Sequence, residues 1–292
     1  MGMRIRTNVS SLTAQRHMEK NNQEMSGSLE KLSSGYRINK SADDAAGLAI
    51  SENLRGQIRG MNVARRNAND AISLVQVAEG SMNEMSNIMI RLRELTVQSA
   101  SDTLGGQERN FLNREYVQLV DEVDRIANST EFNGLKIFDP DAELSEFTIQ
   151  VGTNGTSPDE NTDTISINLE GLKFNSESLE LGKESEIGAK EAGDEGPDRA
   201  TIAEKLTNID NALGRIASER ATLGSVQNRL SSAISNLGIS IESQQAARSR
   251  IKDVDFAEET AALTQSRIMT NSNLSVLTQA NAMPEIALQL LR

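Results

Sequence analysis

Cysteine is absent from all 292 residues, which removes disulfide frameworks, zinc ribbons, iron–sulfur clusters and thiol nucleophiles together. Histidine occurs once, at His17, so no site can be built from two imidazoles and the HExxH zinc-protease pattern is excluded. Tryptophan is missing and aromatics make up 3%, too few rings for the core of a β-sandwich or barrel. The four prolines are Pro140, Pro158, Pro197 and Pro284, which leaves residues 1–139 and 198–283 free of the strongest helix breaker. No segment approaches the ~20 apolar residues that span a bilayer. The opening Met1-Gly2-Met3-Arg4-Ile5-Arg6 leads into no apolar run of signal-peptide length, so any export is expected to proceed without a cleaved secretory signal.

The net charge of −12 is local. Between Asp141 and Asp198 stand fifteen Asp and Glu against three Lys, and the remainder of the chain balances 27 positive against 27 negative charges. A balanced remainder with no basic stripe argues against nucleic acid as a partner, because phosphates require clustered Lys and Arg. The acidic middle reads as solvated surface.

Hydrophobic residues form 37% of the chain, and their spacing is informative. Ile202, Ile209, Ile216, Leu223, Leu230 and Leu237 recur every seven residues. They interleave with Leu206, Leu213, Arg220, Gln227, Ile234 and Ile241, which gives the 3.5-residue mean period of a supercoiled helix. That pattern predicts one helix from about Asp198 to Arg250, roughly 80 Å long at 1.5 Å per residue. Leu54, Met61, Ala68, Val75, Met82 and Met89 make a comparable row in the first half, and Leu112, Tyr116, Leu119, Val123 and Ile126 a shorter one after Gly105-Gly106. Ser41, ahead of Asp43 and Asp44, is the predicted N-cap of the first of these helices.

Between the two helical arms the period falls to two. Phe147, Ile149 and Val151, then Ile165, Ile167 and Leu169, alternate with polar residues and predict a β-hairpin. Asn133-Gly134 marks a second, tight turn. Asn175–Gly196 is rich in Glu, Ser and Gly and is expected to form an exposed, mobile link. The ends carry discontinuous stripes, Ile5, Val9, Leu12, Met18, Met25, Leu29 and Leu32 in front and Phe256, Leu263, Leu274, Leu277, Ala280, Ile286 and Leu290 behind. Neither stripe suffices for an isolated helix, because nucleation is costly and packing supplies most helical stability. Their partners must be each other, the bundle or other molecules.

No constellation carries catalysis. Asp43 and Asp44 are adjacent, and adjacent residues on a helix diverge by about 100°. His17 sits among Arg16, Glu19 and Lys20, as a solvated imidazole does. Neither GxxxxGK[ST] nor GxGxxG occurs. The ten methionines fall largely in the seam rows, where a flexible side chain fills gaps between helices. Arg248, Arg250 and Lys252 are followed at once by Asp253 and Asp255, which reads as a mixed surface charge cluster.

Leu32-Ser33-Ser34-Gly35-Tyr36-Arg37-Ile38-Asn39, Asp43-Asp44-Ala45-Ala46-Gly47-Leu48-Ala49-Ile50, Arg66-Asn67-Ala68-Asn69-Asp70 and Arg93-Glu94-Leu95-Thr96-Val97-Gln98 are similar to the N-terminal region of the bacterial flagellin family. Gly224-Ser225-Val226-Gln227-Asn228-Arg229-Leu230, Ala247-Arg248-Ser249-Arg250-Ile251, Gln279-Ala280-Asn281 and Leu290-Leu291-Arg292 are similar to its C-terminal region. The resemblance covers roughly residues 1–138 and 199–292. Asn271-Ser272-Asn273 departs from the small, Gly-containing stretch usual there.

The resemblance implies a mainly α protein, an elongated rod-like helical bundle with coiled-coil-type seams, a small β-hairpin region and an exposed acidic middle. It implies no enzyme and no cofactor, but an extracellular subunit of the flagellar filament, exported unfolded through a type III apparatus and polymerised under a cap protein. A hook–filament junction protein is the alternative. Residues 1–40 with 255–292 are expected to form the filament core, 41–139 with 198–254 the rod, and 140–197 the outward variable region. The expected subunit interface comprises Ile5, Val9, Leu12, Leu29, Leu32, Phe256, Leu263, Leu274, Leu277 and Leu290. Expected partners are further copies of the chain, an export chaperone, the export apparatus, and cap and hook-junction proteins, with no membrane. In some members an innate immune receptor of the host reads a surface that corresponds to Arg91, Leu95 and Glu115, where Ile90 stands in place of a polar Gln.

Overall fold

The computed structural model describes residues 7–138, 146–153, 163–168, 170–182, 187 and 199–290. Five helices dominate: α1 Val9–Ser34, α2 Ala45–Ser99, α3 Gly106–Ser129, α4 Arg199–Lys252 and α5 Phe256–Leu290. Two antiparallel hairpins lie between α3 and α4: β1 Glu131–Phe132 with β2 Leu135–Lys136, and β3 Glu146–Gln150 with β4 Thr164–Asn168. The chain divides into two compact units, Met1–Ile58 with Glu242–Arg292, and Arg59–Ile241.

In the second unit the seven-residue row of α2 is buried as its spacing predicts: Met61, Ala68, Val75, Met82 and Met89 lie in the core. A second row, Ala64, Ala71, Ala78, Met85 and Leu92, is buried beside it, so α2 turns a broad apolar face inward. From α3 come Tyr116, Val120 and Val123, and from α4 Ile209, Ile216, Leu223 and Leu230. The interleaved α4 row is different. Leu213 and Ile234 are half-buried at its edge, and Arg220 reaches Glu79 of α2 at 3.9 Å. The buried flank is instead Ala212 and Val226.

The hairpins follow their sequence signals. Phe147 pairs with Ile167 and Ile149 with Ile165, and Ile149, Ile165 and Ile167 face the core. Leu169 and Asn154-Gly155 lie outside the described residues. Asn133 and Gly134 join β1 to β2 with φ of 53° and 78°, a conformation that favours this dipeptide.

Two expectations are corrected. The helix after the Ser41 region begins at Ala45, and its cap is Asp44, whose Oδ1 accepts from the Gly47 N–H at 2.8 Å. Asp43 works one step earlier, its Oδ2 accepting from the N–H groups of Asn39 and Lys40 at 2.9 and 2.8 Å. Those donors hold its carboxyl below the usual range. Gly47 permits this turn, because a Cβ there would meet the Asp44 carboxylate and lie 2.8 Å from Ile38 Cδ1.

The stretch expected to be an exposed link reaches the core where it is described, at residues 175–182 and 187. Ser176, Leu179, Leu181 and Ile187 are buried. Asp124 of α3 accepts from Ser176 N and Oγ at 2.7 and 2.9 Å, and the Tyr116 hydroxyl donates to the Leu181 carbonyl at 3.0 Å. From α4, Arg215 donates to the Ser178 carbonyl at 2.6 Å and Asn208 to that of Glu180 at 3.3 Å. Ser99 of α2 donates to the Ile187 carbonyl at 2.6 Å. Phe174, just ahead, stacks against Phe138 with centroids 5.9 Å apart. The segment is poor in apolar residues by composition, but Leu179, Leu181 and Ile187 are inserted into the helical core.

Candidate assembly surface of the terminal helices

The first unit is built on a helix pair. Asn8 caps α1, its Oδ1 accepting from the Ser11 N–H at 3.1 Å. Gly35, at φ 73°, closes the helix, its N–H donating to the Lys31 carbonyl. Asp255 caps α5 through the N–H groups of Ala257 and Glu258. Glu258 and Glu259 occupy the first turn of α5, where the helix dipole favours negative charge.

The connections are stitched to each other. Arg37 N–H donates to the Lys252 carbonyl at 2.7 Å and Val254 N–H to that of Gly35 at 3.0 Å, while the Arg37 guanidinium donates to the Ile251 carbonyl at 2.8 Å. Lys252 lies 5.0 Å from the Tyr36 ring centroid and 3.3 Å from Glu52 Oε1. This lysine of the mixed charge cluster is therefore structural and mostly covered, rather than a solvated surface charge.

From that junction α1 and α5 run antiparallel. Lys31 Nζ lies 3.8 Å from Glu259 Oε2. Further along, Asn21 donates to the Ser266 carbonyl and the Thr270 hydroxyl. Ser11 Oγ donates to Asn281 Oδ1 at 2.8 Å, and Asn8 Nδ2 to the Ala280 carbonyl at 2.7 Å. The spacing of the facing residues is alternately three and four: Ser11, Ala14, Met18, Asn21, Met25, Ser28 and Leu32 on α1, and Leu263, Ser266, Thr270, Asn273, Leu277 and Ala280 on α5. This is a coiled-coil seam. Its buried members are small or polar: Ser11, Ala14, Asn21, Ser28, Ser266 and Ala280.

Beside the half-buried Met18, Met25, Leu32, Leu263 and Leu277 of the seam, a second set of large apolar side chains faces away from it. Of the ten residues expected at a subunit interface, Val9, Leu12, Leu29, Phe256 and Leu274 are exposed, and Leu32, Leu263 and Leu277 are half-buried. Ile5 lies outside the described residues, as does the side chain of Leu290. A further row escaped the reading of the sequence. Met269, Val276 and Met283 recur every seven residues on α5 with exposures of 46%, 54% and 59%, and Ala262 extends the row backwards. Between Thr260 and Met283 the only charged residue is Arg267. A helix with a seam on one side, a second apolar row on another and a single charge along seven turns is suited to burial on more than one side.

The three residues carried over as a receptor surface separate. Arg91 donates to Glu115 Oε1 from Nε and Nη2 at 2.9 and 2.7 Å and to Glu94 at 2.9 Å, which raises its already high pKa. Leu95 is fully buried in the core, so its side chain holds the helices together and presents nothing to a partner. Ile90 and Phe111 are exposed.

Among the described residues, no group of three or more His, Cys, Asp or Glu is placed to hold a metal ion, and no helix is long and apolar enough to cross a membrane. Two family models match the chain: the bacterial flagellin N-terminal helical region over residues 5–142 and the C-terminal helical region over residues 206–291. The chain is 39% identical to a flagellin of Bacillus subtilis (strain 168) over 99% of its own length and the whole of that protein. It is 37% identical to the flagellar filament 33 kDa core protein of Treponema phagedenis, with the same coverage. A putative flagellar hook-associated protein of Vibrio parahaemolyticus shares the fold with a TM-score of 0.58, over 72% of this chain and all of that one, at 12% identity. That level of identity carries no functional weight beside the full-length relatives. Helical arms matched at both ends and full-length identity near 39% place the chain in the bacterial flagellin family, the structural subunits of the extracellular flagellar filament.

Proposed function

We propose that the chain polymerises through the outward faces of α1 and α5, with Val9, Leu12 and Leu29 on one helix and Phe256, Leu274 and the Met269–Val276–Met283 row on the other meeting further copies of the same chain. The observation that carries this is the set of large apolar residues the helix pair leaves outside its seam. The most buried seam residues are small or polar, with Met18, Met25, Leu32, Leu263 and Leu277 half-buried beside them, while Val9, Leu12, Leu29, Phe256, Leu274 and the Met269–Val276–Met283 row lie outside and exposed. A pair so arranged gains further by being surrounded, since burying one Leu, Val or Met is worth about 1.5–3 kcal/mol. In this reading residues 1–40 with 255–292 form the filament core, 41–139 with 198–254 the surrounding rod, and 140–197 the outward variable region. Export as an unfolded chain, with a chaperone on the C-terminal helix and a cap at the growing tip, belongs to the same reading. The test is electron microscopy of purified chain after addition of filament seeds. Filaments are expected from the full chain and none after deletion of residues 256–292; filaments from the deleted form would overturn the proposal.

Recognition by a host receptor is the second reading, supported by the exposed Arg91–Glu115 pair and by Ile90 beside it. A groove that meets Ile90 instead of an amide leaves a polar group unpaired. That costs on the order of 1–3 kcal/mol, about ten- to a hundredfold in affinity. Titration of the monomer against the receptor ectodomain is expected to show weakened binding, improved by Ile90→Gln and lost on Arg91→Ala.

A further inference from the structure

We infer that Asn21 is the positioning residue that holds the axial register of the α1/α5 pair between its two ends. It sits at the middle of the seam with 3% exposure. Its Nδ2 donates to the Ser266 carbonyl at 2.7 Å and to Thr270 Oγ1 at 2.6 Å, while its Oδ1 is buried without a hydrogen-bond partner. A buried amide with one half unsatisfied lowers stability relative to an apolar side chain of similar size. Stability therefore does not account for it.

Register does. The other buried seam residues are Ser11, Ala14, Ser28, Ser266 and Ala280, and small side chains present similar surfaces after a slip of one heptad. The half-buried Met18, Met25 and Leu32 recur at seven-residue intervals, so they also meet like surroundings after such a slip, which moves one helix by about 10 Å. Thr270 is different. Its hydroxyl donates to the Ser266 carbonyl at 2.9 Å, and together these two oxygens receive the Asn21 amide. A slip carries Asn21 to Leu263 or to Asn273–Leu277 and removes at least one acceptor. The Gly35–Val254 and Arg37–Lys252 hydrogen bonds hold one end of the pair, and Asn8 with Ala280 and Ser11 with Asn281 the other; between them Asn21 is the buried polar contact that fixes register at a cost in stability.

The consequence reaches the outer faces, because the register decides how Val9 and Leu12 align with Val276 and Met283. Only that consequence rests on the assembly reading above.

The chain lacks cysteine, so thiol pairs report register without background. Ser11→Cys with Asn281→Cys reports the native register; Ser11→Cys with Leu274→Cys, and Met18→Cys with Asn281→Cys, report slips of one heptad in either direction. Full-length protein, in seeded filaments and in the unpolymerised fraction, is treated with a short thiol cross-linker and the products are quantified by mass spectrometry. The parent is expected to give the native product alone. Asn21→Leu is expected to raise the thermal transition of the pair and yet increase the slipped-to-native ratio about tenfold. Asn21→Ala is expected to loosen register in the same way without the gain in stability. A native-only pattern in the Leu variant overturns the proposal, and so does a parent that gives no native product. Slipped product in a variant that still forms parental filaments upholds the register assignment and overturns the assembly reading. Native register with parental filaments in that variant overturns the register assignment and leaves the assembly reading standing.

Discussion

Filament formation is expected to be abolished by Met269→Asp together with Val276→Asp, with no change in the thermal unfolding of the second unit. Both side chains lie on the outer row of α5 and are about half exposed in the single chain, so the carboxylates are solvated before assembly. Once a second copy covers that row, each charge is withdrawn from water with no cation nearby, Arg267 being the only charge between Thr260 and Met283. An unpaired buried carboxylate costs several kcal/mol. Two per subunit, at tenfold in affinity for every 1.4 kcal/mol, raise the concentration needed for growth by more than about a hundredfold. Met269→Leu alone, which conserves volume, is expected to polymerise as the parent does. Sedimentation after seeding measures both. Normal filaments from the aspartate pair would show that this row faces water in the assembled state.

Replacing Asn175–Gly196 by a short polar linker is expected to unfold or strongly destabilise the second unit, contrary to what its composition suggests. Leu181 and Ile187 are fully buried, and three long helices donate hydrogen bonds into the segment: Tyr116 from α3, Ser99 from α2 and Arg215 from α4. Leu181→Ala alone is expected to cost about 2–5 kcal/mol, and Phe174→Ala, which also loses the Phe138 contact, about 3–5 kcal/mol. The two sites share one core and will not add independently. Urea unfolding followed by circular dichroism measures the loss. Tyr116→Phe, which leaves the Leu181 carbonyl without its donor, is the smaller relative of these changes, at about 1 kcal/mol. A linker replacement that unfolds at the parental midpoint would show that the segment merely rests on the helices.

Much of the architecture could be read from the letters because repetition is a one-dimensional signal. The seven-residue rows of α2 and α4 recur over many turns, so a misplaced residue does not hide the period, and Met61 to Met89 and Ile202 to Leu230 are buried as predicted. The two-residue period of Phe147 to Val151 and the Asn133-Gly134 turn are equally local, and both hairpins formed. Absences were as informative, since a chain with one histidine and no cysteine has few ways to perform catalysis. The motifs at both ends led to the family, which full-length relatives confirm.

What only the tertiary structure decided are matters of pairing. Ser11, Ala14, Asn21 and Ser28 carry no hydrophobic signal, and their burial follows from the partner that α5 provides. That arrangement also turns Val9 and Leu12 outward. Leu95 stands outside the two seven-residue rows of α2, and its complete enclosure depends on the elements packed around that helix. The choice of Asp44 over Ser41 as a cap turns on the loop path that engages Asp43 with Asn39 and Lys40. In Asn175–Gly182 the few apolar residues are inserted because groups far away in sequence, the Tyr116 hydroxyl, the Asp124 carboxylate and the Arg215 guanidinium, hold the backbone in place. Sequence periodicity reports which residues share a face. Which face meets which depends on contacts across scores of residues, and these exist only once the chain has folded.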